Sequence, residues 1–438
     1  MVKVIQWTLG FTQTYSISYS VTTGDNMQGA FSMSLFLIVL SALVTAYILL
    51  LLVIVLGIIL RITKSTKDHT PFVSVIVPAR NEESSLPTLL NSLEQQIYPG
   101  KLEFIIIDDR SDDGTSSIIR EASRRDSRYR YLRLDLPNDH FSPKVNAVNA
   151  GIQSAKGEII ITTDADCIVP PYWVRTMVGH FRSDVCMVVG LVETSRAQTI
   201  LTWHEYFETI DWFSLMLAMR SLLRLGLPLA STANNQAYRR ESFEKIGGFS
   251  GFGKSPSGDE DLLTQKLAKL PGMKIVIADD QACRVFTKPM PSFKSLLRQR
   301  IRWVSRYHHP MHYHPGFLAG LILLASQSTM LTIAIVAIPF APEIALWVIP
   351  LWGIKIGVEL FGINLGLIQL GRQDLIGLPT LLWAVLHAPF IAIISVWSLI
   401  KPGDWSYEET QSGKLYLYQR FRKIRRKHSP RSTSPKPK

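Results

Sequence analysis

Three groups of carboxylates and one basic, aromatic cluster are the residues of this sequence best suited to chemistry. Asp164-Ala165-Asp166 sets two carboxylates one residue apart, directly after an apolar run. Two carboxylates at a strand end can share a divalent ion. Mg²⁺ takes few protein carboxylates and completes its shell with water and phosphate oxygens, which suits a metal–diphosphate ligand. The same spacing also suits a plain turn or helix cap. Asp108-Asp109 closes a second apolar run, and Asp259-Glu260-Asp261 places three acids in a row. Repulsion among adjacent acids raises one pKa toward a value useful for a base. Gln299, Arg302 and Trp303 lie at i, i+3 and i+4, so they share one face of a helix.

The segments that carry these residues alternate between strand and helix. Val73–Val77 reads as a buried strand ending at Pro78, and Ser85–Gln96 as a helix with Leu86, Leu89, Leu90 and Leu93 on one face. Phe104–Ile107, Tyr131–Leu134 and Glu158–Thr163 read as further strands, Ser116–Ser123 and Val145–Ala155 as helices. Such alternation predicts an α/β domain with a mainly parallel sheet. Ligands of these sheets bind beyond the carboxyl ends of the strands. Pro78-Ala79-Arg80-Asn81, Asp108-Asp109 and Asp164-Ala165-Asp166 all follow strands, so the polar residues converge on one edge. No G-x-G-x-x-G follows the first strand and no G-x-x-x-x-G-K-[ST] occurs, which disfavours a dinucleotide fold and excludes a P-loop.

The domain, about residues 70–310, is flanked by apolar chain. Met33–Leu60 carries no charged side chain, and a helix of ~20 residues crosses a bilayer core. Residues 31–60 are therefore expected to span. Arg61, Lys64 and Lys67 follow at once, which puts the downstream domain in the cytoplasm and residues 1–30 outside. Residues 316–400 hold three candidates, Phe317–Ile338, Ile344–Leu370 and Leu375–Ile400. Pro379 and Pro389 also allow a re-entrant last segment, so two or three spans fit. Lys355 and Glu359, at i,i+4, read as an internal ion pair. Residues 401–438 form a basic tail with 11 Lys/Arg against 3 Asp/Glu, +8 of the +12 formal charge. A nucleic-acid binder would carry that excess on a folded module, so the partner of the tail is an anionic membrane, or only solvent. Three cysteines, Cys167, Cys186 and Cys283, exclude a disulfide scaffold and a four-thiolate zinc site.

Five segments in order resemble a membrane-bound family 2 inverting glycosyltransferase with the GT-A fold. They are Val73-Ser-Val-Ile-Val-Pro-Ala-Arg-Asn-Glu-Glu83, Ile105-Ile-Ile-Asp-Asp-Arg-Ser-Asp-Asp-Gly-Thr115, Lys144-Val-Asn-Ala-Val-Asn149 with Asp164-Ala-Asp166 behind it, Asp259-Glu-Asp261, and Gln299-Arg-Ile-Arg-Trp303, which matches Gln-x-x-Arg-Trp. The resemblance runs from Val73 to Arg306. It implies a nucleotide-diphospho-sugar donor, Mg²⁺ or Mn²⁺, and inversion at the anomeric carbon.

The roles implied by the resemblance are specific. Pro78, Asn81 and Glu82 would line the nucleoside pocket, and Asp109 would accept a hydrogen bond from the base, which favours UDP. Lys144 would approach the diphosphate. Asp166 would hold the metal, with Asp164 nearer the ribose and sugar. Asp261 would be the general base, although Asp259 replaces the threonine of the family pattern and leaves Asp259 and Glu260 as alternatives. Asn235, beside Asn234, would line the acceptor site. Arg302 would neutralise diphosphate, and Trp303 would stack on an acceptor ring. Phe293, Leu297, Ile301 and Val304 would turn the opposite face of that helix to lipid. His308, His309, His312 and His314 read as a loop at the water–lipid boundary, with metal binding as the alternative. Glu205–Gly226 reads as core or membrane packing, or as the wall of a lipid-acceptor groove. The expected activity is sugar transfer to a membrane lipid or growing glycan by a multi-pass cell-membrane protein. A processive polysaccharide synthase and an inactive sugar-nucleotide-binding membrane module are the alternatives.

Overall fold

A computed structural model describes residues 25–60, 69–136, 141–194, 201–252, 259–305, 314–400, 407–409 and 415–417. The first helix, α1 (Asp25–Ile59), starts eight residues before the uncharged stretch does. The next elements are β1 (Val73–Ala79), α2 (Leu86–Glu94), β2 (Leu102–Asp109), α3 (Thr115–Arg125), β3 (Tyr129–Leu134), α4 (Pro143–Ser154) and β4 (Ile159–Thr162). They follow the expected alternation. After them come α5 (Trp173–Val178), β5 (Val185–Gly190), β6 (Val192–Glu193), α6 (Trp203–Arg224), β7 (Gln236–Arg239), α7 (Arg240–Lys245), α8 (Asp259–Leu267), β8 (Lys274–Ala278) and β9 (Val285–Phe286). The chain then enters α9 (Phe293–Ser305), α10 (Pro315–Ala337), α11 (Ala345–Gln369) and α12 (Leu378–Ile400).

Seven strands form one sheet in the order β3-β2-β1-β4-β7-β5-β8. β7 alone among them runs antiparallel to its neighbours β4 and β5. β1, β2 and β4 are buried along nearly their whole length, which is why they read as continuous apolar runs rather than alternating ones. Burying one such Val or Ile contributes about 1.5–3 kcal/mol. α4 lies close on this sheet: a Cβ on Gly151 would come within 2.7 Å of both Ile76 and Ile107. That close fit sets the depth at which the first turn of α4, with Lys144, meets the strand ends.

Among the described residues, four helices are long and apolar enough to cross a membrane: Ser32–Ile59, Pro315–Ala337, Pro342–Gln369 and Leu378–Ile400. α12 stays helical through Pro389, so among the described residues the C-terminal apolar region holds three long helices. The Lys355–Glu359 pair is present at 2.7 Å, and Tyr47 and His387 also bond Glu359, at 2.9 Å each, tying α1, α11 and α12 together.

Buried charges dock this bundle onto the sheet. Arg372, in the α11–α12 turn, meets Glu193 at 2.9 Å, and Arg284 meets the same carboxylate at 3.2 Å. Arg220 of α6 binds Asp279 at 2.9 Å and Gln369 at 3.0 Å. Arg224 binds Asp279 and donates to the carbonyls of Ile58 (3.0 Å) and Leu60 (2.8 Å). Removing one partner of a buried pair costs about 3–5 kcal/mol, so these contacts fix the end of α1, the end of α11 and the start of α12 against the sheet. His314 N donates to Gln265 at 2.7 Å and places the start of α10 there too.

Candidate active site

The carboxyl ends of β1, β2 and β4 come together as the alternation predicts. Asn81 and Arg110 follow β1 and β2 in the left-handed region, at φ 55° and 58°. Asn tolerates that conformation, whereas Arg rarely adopts it, so local bonds must hold it. They do: Asn81 N donates to Ser111 Oγ (3.0 Å), Asp112 N to Asn81 Oδ1 (2.9 Å) and Glu82 N to Thr115 Oγ1 (2.8 Å). The two loops are thus stitched into one rigid rim. Asp109 is buried there, with Arg110 Nη2 at 2.6 Å and Arg80 Nη1 at 3.6 Å. A carboxylate has about four lone-pair sites, so capacity for a base N–H remains.

Lys144 Nζ lies 2.6 Å from Asp164 Oδ1, and both line a small cleft with Pro78, Thr163 and Phe249. Asp166 is the next carboxylate along. Cys167 Sγ lies 3.6 Å from one of its oxygens, and Thr287 donates to the other at 3.5 Å. Burial, then the Asp164 charge, raises the Asp166 pKa above the usual carboxylate range. Glu82 faces the same pair. Burial first, then Asp166, pushes it up to about 7. Three carboxylates therefore crowd one lysine, and the site carries excess negative charge. No set of three or more His, Cys, Asp or Glu side chains placed to hold a metal occurs among the described residues. The pair fits a divalent ion of the kind that takes one or two carboxylates and draws its other ligands from diphosphate and water.

Asp261 is buried in the first turn of α8, where its Oδ1 accepts from Ser231 N at 3.2 Å. The segment from Ser231 links it to the β4 edge: Thr162 Oγ1 donates to Ala233 O at 2.6 Å, and Ser231 Oγ to Gln236 Oε1 at 3.1 Å. Asp261 and the Asp164/Asp166 pair thus share one side of the sheet, joined by a single short segment. Nothing is described of the Asp259 side chain, and His308, His309 and His312 lie outside the described residues, as do Arg61, Lys64 and Lys67.

Asn235 differs from expectation. It is fully buried, with Nδ2 donating to Leu191 O (2.7 Å) and Cys283 O (2.9 Å) and Oδ1 accepting from Trp173 Nε1 (2.9 Å). Its amide is used in tying strand ends together, so it has no surface to offer an acceptor. Asn234 lies nearer the pair, with Nδ2 3.7 Å from Cys167 Sγ.

In α9 the apolar side meets protein in part: Phe293 packs on Trp203, Phe207 and the Phe390 ring of α12, while Phe293, Leu297, Ile301 and Val304 are each half-buried. Gln299, Arg302 and Trp303 are all half-buried. Trp303 packs on Trp212 at 5.5 Å, and the Arg300 guanidinium lies 4.3 Å from its ring centroid. Arg300, read from the sequence only as a flanking basic residue, is buried, binds Asp211 of α6 at 2.8 Å through Nε and Nη2, and donates to Gln299 Oε1 at 2.5 Å. Its neighbour Glu208 accepts from Met290 N at 2.8 Å; burial pushes its carboxyl up to about 7, against the lowering effect of Arg300. The position of Arg300 inside Gln-Arg-Ile-Arg-Trp gave no signal of burial, whereas Glu208 and Asp211 within the aromatic stretch Tyr206–Phe213 of α6 are a signal that a cation must meet them.

An acid whose pKa is raised on folding contributes stability that is complete below its unfolded pKa and is lost as pH rises through the folded value. Between about pH 4.5 and 7, Glu208 therefore weakens the fold as pH rises. Glu208→Gln should flatten the fall in Tm between pH 5 and 8 and raise Tm at pH 8. An unchanged pH profile in thermal unfolding would show that Glu208 does not titrate there.

Residues 74–247 match the family model described as glycosyl transferase family 2. The probable glycosyltransferase YdaM of Bacillus subtilis is 28% identical over 248 residues, 55% of this chain and 56% of that protein. Beta-monoglucosyldiacylglycerol synthase of Trichormus variabilis is 30% identical over 195 residues, 42% of this chain and 39% of that one. Thus the chain spans about half the length or less of these curated relatives. Among solved structures, the mannosyltransferase PcManGT of Pyrobaculum calidifontis, in complex with GDP-Man and Mn²⁺, superposes with a TM-score of 0.56 at 18% identity, covering 85% of this chain and 99% of that chain. At that identity the likeness is one of fold.

Proposed function

Residues 74–247 form a glycosyl transferase family 2 domain on a GT-A-like, mainly parallel sheet, and from that premise we propose that the protein is an inverting glycosyltransferase. It moves a sugar from a nucleotide-diphospho-sugar, with UDP as the nucleotide, to a membrane lipid. The observation that supports the reading is the Lys144–Asp164 contact of 2.6 Å beside Asp166, with buried Asp261 bonded to Ser231 in the segment that meets the end of β4. A cation for the diphosphate, a carboxylate pair for a divalent ion and a separate carboxylate for the acceptor are the parts that transfer needs. A bound Mg²⁺ or Mn²⁺ would stabilise charge on the leaving diphosphate. Lys144 adds positive charge at the same place, and Asp261 takes the proton of the acceptor hydroxyl. Trp303, half-buried beside Trp212 and Arg300, would meet the acceptor with its exposed part.

The lipid acceptor is favoured by packing. α6 and α9 lie against α12, so the acceptor side of the site is built into the membrane bundle. A diacylglycerol glycolipid named as the product of one relative agrees. Native membranes supplied in turn with radiolabelled UDP-sugars should yield label that partitions into organic solvent. Label in an insoluble polymer would favour the processive synthase, and no label from any UDP-sugar would overturn the donor assignment.

The same reading places the sheet domain, about residues 70–310, in the cytoplasm with α1 and the three C-terminal helices crossing the membrane. The three native cysteines are buried, so engineered thiols report cleanly. Phe340, 86% exposed in the α10–α11 turn, should as Phe340→Cys be labelled by an impermeant thiol reagent in intact cells. Arg124→Cys, on exposed α3, should label only after permeabilisation. The reverse pattern would invert the topology.

A further inference from the structure

A cavity of about 1000 Å³ lies at the junction of sheet and bundle along α8, and Asp261 is not among its described lining residues. The end of α6, α8, the edge strand β8 and the residues His314 and Pro315 enclose it. Two chemistries line it. Leu227, Phe252, Leu262 and Ile275 give it apolar walls, and Arg224, Lys266, Lys269 and Lys274 give it four cations, with no Asp or Glu among the described lining residues.

Two of these charges are already matched: Arg224 binds Asp279, and Lys274 binds Asp184 at 2.8 Å. Lys266 meets the carbonyls of Gly248 and Ser250, at 3.1 and 3.0 Å, and lies 5.4 Å from the centroid of the Phe252 ring. Among the described side chains no carboxylate pairs with Lys266 or Lys269. Burial, then the charge of Lys269, pulls the Lys266 ammonium below its ordinary pKa.

The level of the cavity relative to the bilayer follows from its neighbours. Arg224 donates to the carbonyls of Ile58 and Leu60 at the end of α1, and Pro315 opens α10. Both helices are of membrane-crossing length and apolarity, so the cavity opens at the boundary between bilayer and water. We propose that it seats the headgroup and upper chains of an anionic phospholipid drawn from the surrounding bilayer. Basic pockets at the cytoplasmic ends of membrane helices bind acidic headgroups for this reason. A soluble anion has no use for the apolar walls, and Asp261 is not among the described lining residues.

The test reads binding and not turnover, so it stands apart from the proposed transfer. The full-length protein in neutral detergent is titrated with dioleoylphosphatidylglycerol or dioleoylphosphatidylcholine and followed by native mass spectrometry. One phosphatidylglycerol should bind per chain in preference to phosphatidylcholine. Lys269→Glu combined with Lys274→Glu should weaken that adduct about tenfold or more. Arg124→Glu with Arg125→Glu, on exposed α3, changes net charge equally and should leave it intact. If the charge reversal impairs folding, the pair Lys269→Gln and Lys274→Gln should still weaken binding. Equal binding of the two lipids, unchanged binding in both cavity variants, equal loss in the α3 control, or displacement by millimolar inorganic phosphate would each overturn the assignment.

Discussion

Asp261→Asn should bind UDP as the wild type does, yet transfer sugar about 10²–10⁴-fold more slowly in a single turnover, the usual cost of losing a positioned base. The expectation rests on placement. Asp261 is buried, and its Oδ1 accepts from Ser231 N, a bond that an asparagine side chain can keep through its own carbonyl oxygen. The substitution therefore removes basicity while preserving the local fold. Glu260 is one residue earlier, and successive side chains on a helix turn by about 100°. Its backbone carbonyl is engaged by Ser231 Oγ and Thr264 Oγ1, at 3.1 and 2.9 Å, and this fixes the register of the turn while leaving Asp261 as the acid turned inward. Glu260→Gln should thus cost far less. Near wild-type transfer by Asp261→Asn together with a dead Glu260→Gln would move the base by one residue.

The α/β alternation was legible because β1, β2 and β4 are buried on both faces and so leave uninterrupted apolar runs, each closed by a polar turn. The converging strand ends followed from parallel topology alone. β7 was not legible. Its four residues, Gln236–Arg239, are too short to show a period, and its antiparallel direction is a property of the sheet and not of the segment. The amide of Asn235 misled for a related reason. A sequence position beside an acceptor-like segment says nothing about which way a side chain turns, and here Trp173 of α5 and the carbonyls of Leu191 and Cys283 hold it. The helix α9 shows the same limit. Its amphipathic pattern is real, but whether an apolar face meets lipid or another helix depends on α6 and α12, which lie far off in sequence. The buried Arg300–Asp211 pair belongs to that tertiary choice.

Asp166→Asn should abolish most donor turnover, by roughly 10²–10³-fold, while leaving the protein at least as stable as the wild type near pH 8. The two halves of this expectation separate a functional carboxylate from a structural one. In the wild type, burial and then the Asp164 charge raise the Asp166 pKa, so ionising it is a cost to the folded state. An acid so perturbed contributes stability that is present below its unfolded pKa and lost as pH rises through the folded one. Above that value the neutral amide relieves the cost, and it also removes the charge that helps push Glu82 up to about 7. A residue that weakens its own fold at working pH is explained by a ligand that supplies positive charge. Mn²⁺ with UDP should accordingly raise the Tm of the wild type and should raise that of Asp166→Asn much less. Excess chelator should reproduce the loss of turnover in the wild type. Full activity in chelator, or in Asp166→Asn, would rule out a metal held at this pair and would leave Lys144 as the cation that meets the diphosphate.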